Sequence, residues 1–136
     1  MVATLLVVVA AACSRGDATP KGTLVSVRLS DYHLTTQRLA VPAGYVTFRI
    51  HNAGPSTHEF IVARSEVAVD ALPLRANGIT VDEDSKKLHP AGELVDVRLD
   101  STRNLTLKLA AGHYVLFCNL EGHYRGGMYA LVEVTS

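Results

Sequence analysis

Only one cysteine, Cys118, lies in the body of this 136-residue chain; the other, Cys13, closes an apolar run near its start. A structural zinc site of the usual kind needs two or more cysteines beside its histidines, so none is expected. Neither sign of charge is in excess: Lys plus Arg and Asp plus Glu both number 13, with no long block of either. The electrostatic footprint of a nucleic-acid binder is therefore missing. No His-x-His pair occurs, and helix signals are scarce. The length suits one domain with a filled core. The hydrophobic share of 48% is raised by the first twelve residues, and the remainder has the composition of an ordinary soluble domain.

The apolar run Leu5 to Ala12 is too short to span a bilayer but has the length of a signal-peptide core. Ala10, Ala11 and Ala12 before Cys13 resemble the lipobox of bacterial lipoproteins, in which the cysteine is lipidated and becomes the mature N-terminus. No Lys or Arg precedes the run, a departure from that pattern, and an ordinary signal peptide cut nearby is the other reading. Both place the mature protein outside the cytoplasm, in the periplasm or at the cell surface, and the first anchors it to the membrane through a lipid on Cys13. Residues 1–13 are thus expected to be a signal segment, 14–22 a polar tether and 23–136 the folded domain.

Short runs rich in Val, Leu, Ile, Phe and Tyr, separated by turn residues, point to an all-β domain. Eight strands are expected: Thr23–Leu29, Arg38–Val41, Tyr45–Asn52, His58–Ala63, Leu94–Leu99, Asn104–Leu109, Tyr114–Cys118 and Met128–Val134. That number suits a sandwich. Alternation is clearest at Tyr45–Asn52, where Val46, Phe48 and Ile50 share the core face. Residues 65–90 break the pattern and form an irregular or helical insert; Ser65 can cap a turn or two of helix that Pro73 would stop. The acidic cluster Asp82, Glu83 and Asp84 reads as a solvated loop without function.

The chemistry gathers near the C-terminus. Cys118, His123 and Met128 are equally spaced, with four residues between each pair. A thiolate at a strand end, an imidazole and a thioether can surround one ion from a single loop. This soft set favours copper, and two imidazoles with one thiolate and a long axial Met describe an electron-transfer site. His58, just after the turn in Asn52-Ala53-Gly54-Pro55-Ser56-Thr57, can supply the second imidazole.

These segments resemble the cupredoxins, the blue-copper family that includes plastocyanin, azurin, amicyanin and rusticyanin. Val41 to Phe48 is similar to the family's early strand, Asn52 to Phe60 to its first-histidine loop, and Gly112 to Met128 to its ligand loop, with gaps most like rusticyanin's. The resemblance implies a Greek-key β-sandwich with one copper per chain on His58, Cys118, His123 and the weaker axial Met128. It further implies a monomeric one-electron carrier without substrate turnover, meeting a redox donor and acceptor such as a cytochrome, oxidase or reductase. Electrons would pass at the His123 edge, ringed by Leu120, Gly126 and Pro42. A binuclear copper-A site would need a second cysteine in the loop, and multicopper oxidases need further histidine-rich sites. A copper carrier or chaperone lipoprotein is the alternative, although such proteins tend to use exposed Met and His ligands.

The family often has Asn after the first histidine and Ser or Thr after the cysteine, whereas this chain has Glu59 and Asn119. A Glu59 carboxylate accepting a hydrogen bond from the Asn119 side chain or backbone would brace the two ligand loops; a solvent-facing Glu59 is the other reading. His33, His51, His89 and His113 are expected at the surface or behind the site, with His33 and His89 in loops and His113 pointing away from Cys118. Tyr114 shares the cysteine's face and reads as core.

Overall fold

The computed structural model describes residues 22–136. The expected signal segment with Cys13, and residues 14–21 of the expected tether, lie outside the described residues. Nine strands form, with no helix among the described residues: β1 (Thr23–Ser30), β2 (His33–Thr36), β3 (Ala40–Pro42), β4 (Gly44–Asn52), β5 (His58–Ser65), β6 (Leu88–Val97), β7 (Thr102–Leu109), β8 (Gly112–Phe117) and β9 (Tyr129–Thr135). They make two mixed sheets, ordered β2-β1-β4-β7 and β3-β9-β8-β5-β6.

The expected alternation on β4 is met: Val46, Phe48 and Ile50 are buried, while Tyr45 and Arg49 face solvent. Val25, Val27 and Leu29 of β1 join them in the core. Phe60, Val62, Leu116, Val132 and Val134 of the facing sheet close it. Phe48 and Phe60 meet across the sandwich with ring centroids 5.6 Å apart. Tyr114 lies in the same core, and its hydroxyl donates to the Ala110 carbonyl at 3.1 Å, pinning the entry to β8.

The other face of the five-stranded sheet is buried too over β5 and β8. Ile61, Ala63, Val115 and Phe117 form a second cluster with Leu72, Val81, Leu88 and Tyr124. The insert over residues 66–87 lies across that face, so β5 and β8 are apolar on both sides and show no alternation.

Three expectations change. Ser65 caps no helix: its hydroxyl accepts from the Val67 N–H at 3.1 Å and donates to the Val67 carbonyl at 2.8 Å, a local turn that competes with helix. The insert is irregular rather than helical. Strand β6 starts at Leu88, not Leu94, and contains Pro90 and Gly92; an edge position tolerates the proline, and a register shift opposite Val62 and Ala63 absorbs the irregularity. Strand β2, four residues long, was not expected. Consequently His33 and His89 sit on strands, although both are exposed.

Candidate metal centre

Two strand ends and the loops beside them converge on one point. β5 begins at His58 and β8 ends at Phe117, so His58 and Cys118 leave neighbouring strands at the same end of the sheet. His58, Cys118 and Met128 are fully buried, and His123 is half-buried. Ligand atoms of His58, Cys118 and His123 all lie within 4.8 Å of one another. Cys118 Sγ is 3.5 Å from His123 Nδ1, and the two imidazole rings are 5.2 Å apart.

Backbone hydrogen bonds wind the loop from Cys118 to Met128 tightly. The Cys118 N–H donates to the Met128 carbonyl at 3.2 Å, Met128 N–H to the His123 carbonyl at 3.1 Å, and His123 N–H to the Leu120 carbonyl at 2.9 Å. Gly127 has φ +102°, a left-handed turn that leads the chain back into β9 and that a side chain would resist. The first-histidine loop is held from below by Asn52. Its buried amide donates to the carbonyls of Ser56 and Val97 at 2.8 and 2.7 Å and accepts from Gly54 N–H at 3.0 Å.

The electrostatics suit a cation. Burial pushes the His58 imidazole below its ordinary pKa, the nearby His123 adds to the shift, and Asp31 partly opposes it. Asp31 Oδ1 lies 3.2 Å from His58 Nε2 but off the N–H direction, and neither ring nitrogen of His58 has a hydrogen-bond partner among the described residues. Buried polar atoms are rarely left this way, so an orphaned imidazole beside a thiol is the mark of a ligand site. Burial also pushes the Cys118 thiol up, against the backbone N–H groups of Leu120 and Glu59 that favour the thiolate. The Glu59 N–H donates to Cys118 Sγ at 3.4 Å. A raised thiol pKa is the opposite of what a nucleophilic cysteine needs. A soft cation, by contrast, offsets the burial of the thiolate, and His58, Cys118, His123 and Met128 fit one with a preference for nitrogen and sulfur.

No family model matches the sequence, and no curated protein does. Solved structures do match. Auracyanin from the photosynthetic bacterium Roseiflexus castenholzii superposes with a TM-score of 0.64 at 19% identity, over 85% of this chain and 98% of that one. Auracyanin A from Chloroflexus aurantiacus, described as a "blue" copper protein, gives 0.60 at 20% identity over 85% and 100%. Rusticyanin from Thiobacillus ferrooxidans gives 0.60 at 18% over 86% and 79%. The chain has the cupredoxin fold. Within that fold its candidate ligands stand on the first-histidine loop and on the loop from β8 to β9, as their order in the sequence implied.

The expected Glu59–Asn119 brace is not made by the Asn119 side chain. That amide turns to the insert: its Oδ1 accepts from Val81 N–H at 2.6 Å, and its Nδ2 donates to the Val81 carbonyl at 3.1 Å and to Glu83 Oε1 at 2.6 Å. The Asn119 backbone N–H does favour the Glu59 carboxylate, but burial, Glu83 and Glu93 outweigh it and raise the Glu59 pKa. Glu83, read from sequence as part of a functionless acidic loop, is therefore a partner of the ligand loop. Tyr124 is a second tie: its hydroxyl accepts from Leu72 N–H at 2.9 Å and donates to the Val69 carbonyl at 3.0 Å. Of the other histidines, His113 is exposed and His51 contacts Thr102 Oγ1 at 3.2 Å, away from the centre.

Proposed function

We propose that this chain is a monomeric one-electron carrier that holds one copper ion on His58, Cys118, His123 and Met128, works outside the cytoplasm and turns over no substrate. The convergence of three ligand atoms within 4.8 Å, two of the residues fully buried, carries the proposal. The likeness to auracyanin A, a "blue" copper protein, supports it.

When bound, copper supplies the one-electron couple. The protein does the rest by holding still. His58 and Cys118 project from paired strands, and Met128 is tied by its backbone to both Cys118 and His123. The ligands therefore need little rearrangement when the charge changes. Cys118 would hold the metal as its thiolate, toward which the Glu59 N–H already points at 3.4 Å. The half-buried His123 is the ligand with surface of its own, which supports electron exchange at its edge with a donor and acceptor of the cytochrome, oxidase or reductase kind. Burial of Cys118 and Met128 speaks against a carrier that hands its metal on.

Adding Cu(II) to the purified full chain should give an intense thiolate-to-copper visible band and the matching paramagnetic-resonance signal, both absent in Cys118→Ser. A colourless wild type sinks the proposal. Extracytoplasmic anchoring rests on Cys13 and is tested separately, by a lipid-sized mass increment on the mature N-terminus that Cys13→Ala loses.

A further inference from the structure

The turn between β1 and β2 reaches the centre from outside both ligand loops. Asp31 sets a carboxylate oxygen 3.2 Å from His58 Nε2. Ser56 aims that carboxylate: its N–H donates to Oδ1 at 3.3 Å and its hydroxyl to Oδ2 at 3.0 Å. The Ala53 N–H donates to the Leu29 carbonyl at 2.8 Å and docks the first-histidine loop on the end of β1. His58 is fully buried, so this carboxylate is the charged group facing the remote edge of its ring. A carboxylate behind a ligand imidazole fixes the ring's orientation and strengthens it as a donor.

One residue on, the Tyr32 ring packs against His123 with centroids 5.1 Å apart and planes tilted by 54°. Tyr32 has φ 62°, a left-handed conformation that a bulky aromatic residue adopts at a cost, and 49% of its surface is exposed. Turn formation alone would favour Gly or Asn there. The ring is instead accommodated by the ligand loop: a Cβ on Gly126 would stand 2.3 Å from Tyr32 Cδ1. Strain accepted for a half-exposed ring against a ligand has a reason in the site rather than in folding.

We propose that the Asp31–Tyr32 turn is a clasp on the two histidines, in which Asp31 orients His58 and its negative charge lowers the reduction potential, while Tyr32 holds the His123 ring in place. Both are positioning residues. The effect on potential rests on the copper function proposed above; the effect on the rings does not.

Two measurements on the full chain test the clasp. In the metal-free protein, nitrogen-15 spectra of the histidine rings should show the neutral His58 ring as the tautomer with its proton on Nε2, the nitrogen that faces the Asp31 charge at 3.2 Å. Asp31→Asn should shift the ring toward the other tautomer, and Ser56→Ala should do so to a smaller extent. Tyr32→Gly relieves the backbone and should not lower the melting temperature, yet it should broaden the His123 ring signals, whereas Tyr32→Phe should match wild type. In the copper-loaded protein, Asp31→Asn should weaken Cu(II) relative to Cu(I) about tenfold, raising the potential by about 59 mV for a one-electron couple. Unchanged His58 tautomer and potential in Asp31→Asn, or sharp His123 signals in Tyr32→Gly, overturn the clasp. A wild type that takes no copper overturns the copper function instead, and the ring spectra still decide the clasp.

Discussion

Strands β5 and β8 of the five-stranded sheet are buried on both faces, but by different means. The inner face packs on a second sheet, strand against strand, and its cluster runs without a break into Cys118 and Met128. The outer face is covered by residues 66–87, a segment with no regular structure beyond a single bridge between Leu74 and Val81. The inner side is held by side-chain packing spread over many residues. The outer side depends more on particular hydrogen bonds, those of Tyr124 with Val69 and Leu72 and of Asn119 with Val81 and Glu83. Both tying residues belong to the ligand loop. The insert therefore serves as a buttress for the metal centre as well as a cover for the sheet.

This contrast can be broken in three places. Phe60→Ala empties the middle of the inner core, where Phe60 meets Phe48; a loss of about 3–5 kcal/mol is expected in denaturant unfolding. Leu72→Ala on the outer side should cost about 2 kcal/mol, at the low end for such a truncation because an irregular segment can settle into the gap. Equal losses in the two variants would make the faces one core. Tyr124→Phe keeps the ring and strands the Leu72 N–H and the Val69 carbonyl; roughly 1–2 kcal/mol is expected. Faster amide exchange should then be confined to residues 66–87 and the ligand loop, and uniform exchange across β1 and β4 would contradict the buttress.

The smallest effect concerns pH and belongs to the metal-free protein. The folded state holds the His58 pKa below its ordinary value, so the unfolded chain binds the extra proton more readily. Stability is then complete above about pH 6.5 and is lost as the pH falls through the interval down to the lowered folded value. Glu59 works the other way, since its raised pKa makes the folded state hold a proton that the unfolded chain has released. Its contribution falls as the pH rises past the ordinary carboxylate range. Melting curves across pH 4–8 for wild type and His58→Gln should show the acid limb flattened in the variant.

Legibility from sequence followed the same divide. Strands of the inner core announced themselves wherever one face met water, as β4 did through Val46, Phe48 and Ile50. Strands β5 and β8 were found through apolar runs and turn punctuation, but nothing in them told that a second layer lay outside. Strand β6 was shortened in the reading because Pro90 and Gly92 are turn residues in isolation and edge-strand residues in this sheet. Cys118, His123 and Met128 were legible because one short loop carries them all. Asp31, Tyr32, Asn52 and Glu83 were not, since each reaches the centre across a sheet pairing or a loop packing that leaves no trace in spacing.

What the sequence determined by itself is the donor chemistry: one thiolate, its equally spaced imidazole and thioether, and a histidine at the head of an earlier strand. Those choices are local, because ligand softness depends on residue type and loop reach on the count of residues between ligands. What only the tertiary structure decided is everything that holds the donors. It set the burial that orphans His58, brought the Asp31–Tyr32 turn against both histidines and turned the Asn119 amide from Glu59 to Val81 and Glu83. The reason is physical. Hydrogen bonds and charge effects act over a few ångströms of space, and residues 36 positions apart, as Asn119 and Glu83 are, become neighbours only when the sheets are stacked.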